Sequence, residues 1–290
     1  MGIYISIYPS PPFFTIFSLS FYMPDIHWII IFLLLGAVVG LMAGLLGVGG
    51  GGIMVPVLTA IFLAMHIPVD KVVHLALGTS MASIVITSFA SLRAHHARAG
   101  VIWDIVKRIT PGILLGTFLA TFLAAYMNSR YLALFFSVFM AIVSTQMFLN
   151  KKPAPGRSRV GTLGLFLAGN FIGAISALVS IGGGSLTVPF LAWQNIQLKK
   201  AIGTSAAIGL PIALAGTLGY IINGWGSHYQ LANTIGFVYL PAVFLISLVS
   251  FFTAPVGAQL AHKLPVATLK KIFAFLLLSL SIKMLYSVWQ

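Results

Sequence analysis

The chain has no cysteine and no glutamate, and only 19 of its 290 side chains carry a charge, 16 Lys/Arg and 3 Asp. Without cysteine, disulfides, thiolate metal sites and cysteine nucleophiles are excluded, and the redox compartment cannot be read. The scarcity of charge excludes more. A soluble domain carries about 25% charged residues, whereas here 7% are charged and 59% are hydrophobic. A single core stops growing at about 250–300 residues, so a water-soluble chain could not bury this much apolar surface. A polytopic membrane protein fits. The net charge of +13 does not make it a nucleic-acid binder, because the basic residues lie between apolar runs rather than on one face. The three acids, Asp25, Asp70 and Asp104, fall in loops or at span ends. A carboxylate-driven proton pump is therefore not expected, since such proteins keep an ionisable group inside the membrane. No Walker sequence, zincin helix or nucleophile elbow is present, so the sequence predicts no enzyme, no catalytic residue, no cofactor and no metal site.

What is present is a series of apolar runs. A helical crossing takes about 20 residues, and long runs fall at 27–47, 72–92, 109–127, 129–149, 160–180, 201–222, 234–261 and 267–288. Two shorter ones, 53–66 and 185–196, each follow a glycine cluster; they read as short tilted spans or re-entrant half-helices. The Lys/Arg positions discriminate between layouts, because cytoplasmic loops carry the basic excess. With ten crossings, 13 basic residues lie on the cytoplasmic side and only Lys71, Arg130 and Lys283 outside. With eight, the split is 9 against 7. The ten-segment layout is favoured. It puts both termini outside, and puts the Arg93 to Arg108 loop and the stretch from Asn150 to Arg159 in the cytoplasm of a bacterial inner-membrane protein. Residues 1–22 lack a basic n-region and a cleavage site, and Pro9, Pro11 and Pro12 break any helix there. This apolar tail lies along the interface, or Met23 is the physiological start; neither reading gives it a functional role.

The chain also contains an internal repeat. Residues 40–58 (GLMAGLLGVGGGGIMVPVL) and 173–191 (GAISALVSIGGGSLTVPFL) match at 8 of 19 positions at an offset of 133. A second block, ALGTSMA at 76–82, matches AIGTSAA at 201–207 in 5 of 7 positions at an offset of 125. The first half thus carries about eight extra residues, placed around 66–71. The basic linker 150–159 (NKKPAPGRSR) divides a first repeat, 23–149, from a second, 160–290. Five segments per half is an odd number, so the second copy enters from the opposite side. The halves are then inverted repeats, with a site expected where they meet.

The candidate site residues lie in these duplicated blocks. Gly49, Gly50, Gly51 and Gly52 are matched by Gly182, Gly183, Gly184 and Ser185. Glycine runs unwind a membrane helix at little steric cost, and the freed amides must be buried in protein or line a cavity. Each cluster leads into a short helix with Pro56 or Pro189 in or near its first turn. A glycine nest at a helix N-terminus binds anions through free N–H groups and the positive end of the dipole. The competing reading is tight helix packing by small residues. In the second block, Gly78 and Gly203 precede Thr79-Ser80 and Thr204-Ser205. Hydroxyls donate to an oxoanion without carrying charge; the competing reading is back-bonding to the preceding helical turn. Ser185 and Thr187 stand where the first half has Gly52 and Met54. His74 is the best intramembrane candidate for proton coupling, against an interfacial histidine, which is the favoured reading. His95 and His96 read as part of a solvated basic face.

At these residues the chain resembles the TauE/SafE, or sulfite exporter, family. The resemblance rests on GLLGVGGGGIMVPVL with its echo ALVSIGGGSLTVPFL, on the paired GTS blocks, and on SLRAHHARAGVIWDIVKR, similar to the family's basic cytoplasmic loop; it covers about residues 26–288. It implies transport of small sulfur-containing anions, such as sulfite or organosulfonates, across the bacterial inner membrane. The apolar stretch before Met23 departs from the family pattern.

The expected protein is thus an all-α polytopic membrane transporter of two inverted repeats, working in a lipid bilayer by alternating access on a small anion. A passive anion channel and a non-transporting scaffold or sensor stay open, as does a homo-oligomer.

Overall fold

The computed structural model describes residues 24–47, 50–149, 160–226, 233–261 and 266–289. The N-terminal tail, the linker 150–159 and Gly49 lie outside the described residues. Those described form ten helices. In the first half these are α1 Ile26–Leu46, α2 Gly51–Ala64, α3 Val69–His96, α4 Trp103–Tyr126 and α5 Ser129–Leu149. In the second they are α6 Thr162–Val179, α7 Gly184–Trp193, α8 Leu198–Asn223, α9 Leu240–Leu260 and α10 Val266–Trp289. A two-residue hairpin, β1 Thr234–Ile235 with β2 Val238–Tyr239, leads into α9.

Eight of these helices are long and apolar enough to cross a membrane. The chain is an all-α polytopic membrane protein. Outward-facing side chains such as Leu119, Phe244 and Phe275 are large and apolar, as a lipid-facing surface requires. Polar groups are instead buried: the described part of α3 alone encloses Thr79, Ser80, Ser83, Thr87, Ser88 and Ser91. Helices α2 and α7 have 14 and 10 residues. At 1.5 Å per residue they reach about 21 and 15 Å, well short of a hydrocarbon core of about 30 Å.

Close packing explains which helices pair. Without a hydrophobic drive between helices in lipid, small residues let backbones approach. A methyl group on Gly36, Gly40 or Gly44 of α1 would run into the backbone of α9 at Ile246, Ser250 or Ala254. On Gly112 or Gly116 of α4 it would meet the carbonyls of Phe166 or Asn170 on α6. The partner numbers rise together in both pairs, so α1 runs parallel to α9 and α4 parallel to α6. Between these pairs, α3 and α8 cross the centre antiparallel, Met81 against Gly216 and Ser88 against Gly209.

The short helices turn back. Gly50, at the start of α2, faces Val39 halfway along α1. The far end of α2 returns to the beginning of α1, because Phe62 and Phe32 both contact the Tyr239 ring, at 5.8 and 6.3 Å. Helix α3 then runs parallel to α1 and ends beside it, with His95 Nε2 3.2 Å from the Gly44 carbonyl. The second half repeats this: α7 ends near the start of α6, where the Val160 N–H donates to Gln194 Oε1 at 3.3 Å. The start of α6 lies beside the start of α4, where Arg108 reaches Thr162 Oγ1 at 3.4 Å. So α6 begins at the end of the bundle where α1 finishes.

Two sequence expectations change in detail. The eight extra residues do not sit in one loop. Helix α2 extends one turn further than α7, ending at Ala64 rather than at the counterpart of Trp193. Helix α3 has nine residues, 69–77, before its GTS block, where α8 has five, 198–202. The surplus is thus one helical turn in each of two helices. Second, His95 is not part of a solvated face: α3 continues through it, and it is buried at 1% exposure.

Candidate functional site

The described members of the duplicated blocks converge at the middle of the bundle, between α3 and α8. Gly50 and Gly183 are the N-caps of α2 and α7, at φ +80° and +81°. That left-handed conformation favours glycine over any residue with a Cβ. Gly51 sits directly against the carbonyl of Ser180, so the turns of the two halves touch. Ser180 also has positive φ, 48°, and its hydroxyl donates to the Leu77 carbonyl at 3.2 Å. Its counterpart at the offset of 133 is Gly47, whose missing side chain would point at the carbonyl of Ile202, the counterpart of Leu77. Each turn is thus wedged against the GTS region of the other half.

The GTS blocks have a structural part that recurs. Gly78 admits the Phe237 carbonyl, and Thr79 Oγ1 accepts the Tyr239 N–H at 3.0 Å. Gly203 admits the Gly100 carbonyl, and Thr204 Oγ1 accepts the Ile102 N–H at 3.0 Å. The same glycine–threonine pair twice holds the segment that enters α9 or α4. Ser205 donates to the Gly47 carbonyl at 3.1 Å, so its hydroxyl proton is engaged. Thr79 and Thr204 accept in their bonds to Tyr239 and Ile102, which leave their own hydroxyl hydrogens uncommitted; Ser80 is fully buried and has no protein partner.

Ser185 and Thr187, in the first turns of α7, are also buried without a partner. Thr187 Oγ1 folds back to within 3.3 Å of where a Gly183 Cβ would stand. The corresponding place in the first half is closed by apolar groups: a Cβ on Gly52 would meet Leu277 of α10 and Met140 of α5. Helix α7 lacks this cover; its residues Leu186, Val188 and Phe190 are part-exposed. The two glycine–helix elements are therefore alike in backbone and unlike in surroundings. Pro56 and Pro189 are the sixth residues of their helices rather than first-turn residues. Each removes the N–H that would have bonded the carbonyl four residues back, at Gly52 or Ser185.

No carboxylate enters this region: Asp25, Asp70 and Asp104 are all exposed. Asp104 pairs with Arg108 at 2.9 Å on the surface. Among the described residues, no group of His, Asp or Glu could hold a metal ion. His74 is buried at the other end of α3, 3% exposed, between the end of α4 and the start of α5. Sequence reasoning passed over Ser180 and Ser129 as site or supporting residues. The signal for Ser180 was its place in the repeat, opposite Gly47.

A bundle of paired apolar helices, with two glycine turns and unpartnered hydroxyls meeting at its centre and no buried acid, defines a polytopic membrane protein with an uncharged polar interior. Residues 32–284 match the sulfite exporter TauE/SafE family, and the chain belongs to that family of membrane transporters. It is 37% identical over 258 residues to a probable membrane transporter protein of Haemophilus influenzae, covering 89% of this chain and 98% of that protein. A probable membrane transporter protein of Methanocaldococcus jannaschii is 27% identical over 237 residues, 80% of this chain and 86% of that protein. The probable membrane transporter protein YunE of Bacillus subtilis is 24% identical over 284 residues, 89% and 97% of the two chains. No solved structure matches the chain.

Proposed function

We propose that the protein moves a small sulfur-containing anion, sulfite or an organosulfonate, across the bacterial inner membrane by alternating access of two inverted halves. The observation that carries this reading is that three of the buried hydroxyls without protein partners, Ser80, Ser185 and Thr187, lie in the duplicated blocks that hold the two glycine turns. A sulfur oxoanion offers several acceptor oxygens and no donor. Hydroxyls and the first N–H groups of α2 and α7 are all donors, and the N-terminal dipoles add positive potential. Buried acids would repel such a ligand, and the described interior has none. Uncharged donors also suit release: a transported ion must bind well enough to enter and weakly enough to leave.

The opposed directions of α1 and α6, and the pairing of α1 with α9 where α6 pairs with α4, support the inverted arrangement. The asymmetry around α2 and α7 supports a molecule at rest in one of two states, since the halves differ most in what covers the short helices. The basic residues of the Arg93 to Arg108 loop and of the linker support a cytoplasmic position for that end.

The test is uptake of labelled sulfite and organosulfonates into proteoliposomes. Wild-type protein gives saturable flux. Gly50→Val and Gly183→Val insert into the membrane but do not transport, because each adds a branched side chain at positive φ, against Val39 and Ile212 respectively. Normal flux in both variants would overturn the site.

A further inference from the structure

We propose that His74 is a proton-binding site that couples proton movement to transport, with Ser129 as the group that reads its charge. The inference deepens the transporter reading and rests on it for the word coupling, though not for the proton site itself.

The argument is an inventory of donors and acceptors. The imidazole of His74 has Nε2 3.0 Å from the Ala124 carbonyl and Nδ1 3.2 Å from Ser129 Oγ. A carbonyl only accepts, so Nε2 carries a hydrogen. Ser129 has one hydroxyl hydrogen, and it donates to the Asp70 carbonyl at 2.8 Å. With that hydrogen committed, the serine oxygen can only accept from Nδ1, so Nδ1 must carry a hydrogen too. The three contacts are satisfied together only by the doubly protonated ring. When the ring loses the Nδ1 proton, Ser129 must turn its hydroxyl to Nδ1 and release the Asp70 carbonyl. One proton therefore decides which group at the start of α3 receives the hydroxyl hydrogen from the start of α5, the Asp70 carbonyl or the His74 ring.

The setting suits a single coupling site. At the offset of 125 His74 corresponds to Lys199 of α8, so the second half has no histidine at the equivalent position. The nearby charges on its own helix are Asp70 and Lys71, both exposed and of opposite sign. From α5 the ionisable neighbours in sequence are Arg130 and Tyr131, and from the end of α4 Tyr126; all three side chains are exposed. The hairpin before α9 contributes the Phe237 ring, 5.2 Å from the imidazole and tilted by 31°. Phe237 connects the ring to the transport elements, since its carbonyl lies in the gap left by Gly78 and the Tyr239 N–H bonds Thr79.

The experiment uses the full chain in proteoliposomes with a labelled sulfonate, whose own charge is constant across neutral pH. Flux is measured with a gradient of about one pH unit imposed in either direction. The wild type accumulates the sulfonate under one of the two gradients, by up to about tenfold per pH unit for one coupled proton. His74→Gln keeps exchange of labelled for unlabelled sulfonate but loses the response to the gradient. Ser129→Ala keeps the response, with the midpoint of its pH profile moved to lower pH, because the Nδ1 hydrogen has lost its acceptor. An unchanged gradient response in His74→Gln overturns the proposal. Histidine nitrogen NMR on the purified protein, with His74 assigned by its loss in His74→Gln, separates this proposal from the transport reading. A ring that exchanges between the neutral and doubly protonated forms, with a midpoint dependent on Ser129, supports the proton site even where no sulfonate moves. A ring fixed in one neutral tautomer from about pH 5 to 8 contradicts it.

Discussion

At the scale of single residues, the hydroxyls divide by what already holds them. Most serines and threonines of the interior are used internally. Ser83 and Thr87 bond back to carbonyls four residues earlier, and Thr87 also meets Ser250 at 2.8 Å across to α9. Such bonds are the expected fate of a hydroxyl in a membrane helix. Among the described residues eight buried hydroxyls escape it, and three of these, Ser80, Ser185 and Thr187, lie in the duplicated blocks. A hydrogen bond to a charged group is worth about 1.5–3 kcal/mol, and about 1.4 kcal/mol is a factor of ten in affinity. Ser185→Ala and Thr187→Val should therefore each raise the concentration of anion that half-saturates transport by about tenfold. Expression and thermal stability should be unchanged, because no protein partner is lost. A half-saturating concentration equal to wild type in both variants would remove these hydroxyls from the site. The residue types at these positions were legible in the sequence. Which hydroxyls hold a distant backbone group was not, because the N–H groups that Thr79 and Thr204 accept come from chain 160 and 102 residues away.

At the scale of elements, the recurring unit is a long helix, a positive-φ turn, a short helix running back and a second long helix. The glycine runs and the repeat marked both turns in the sequence. The small-residue seams were written there as plainly, as glycines four apart at 36, 40 and 44, at 112 and 116, and at 169 and 173. Their partners could not be read, since a glycine does not say what approaches it. Gly116→Leu would drive a side chain into the Asn170 backbone, and Gly40→Leu into that of Ser250. Both should lower the thermal midpoint of the purified protein. The GTS threonines give a finer test. Thr79→Val leaves the buried Tyr239 N–H without its acceptor, a loss of about 1–3 kcal/mol. Thr204→Val does the same to Ile102, which is less buried. Thermal unfolding should show both variants destabilised, Thr79→Val the more. Unaltered midpoints would mean that these threonines do not hold the entries to α9 and α4.

At the scale of the whole molecule, the absence of cysteine becomes useful, because any introduced thiol is the only one in the chain. The inverted layout proposed above would place the linker and the C-terminus on opposite faces. A cysteine at Ala154 should then react only with a membrane-permeant reagent in intact cells, and one at Gln290 with an impermeant reagent as well. Equal protection of both would contradict the layout. The class of protein was evident from 19 charges in 290 residues. The unequal surroundings of α2 and α7 were not legible, because Met140 and Leu277 reach Gly52 from helices 88 and 225 positions further along. That inequality makes α7, with its open flank and free hydroxyls, the half on which the anion should depend.

The most direct measurement is the concentration dependence of labelled sulfite and organosulfonate uptake by the wild type and by Ser185→Ala/Thr187→Val together. The account predicts saturable uptake in the wild type. In the double variant it predicts saturation shifted to a concentration on the order of a hundredfold higher, with a similar maximal rate. Uptake that fails to saturate in the wild type, or a double variant that saturates where the wild type does, would contradict it.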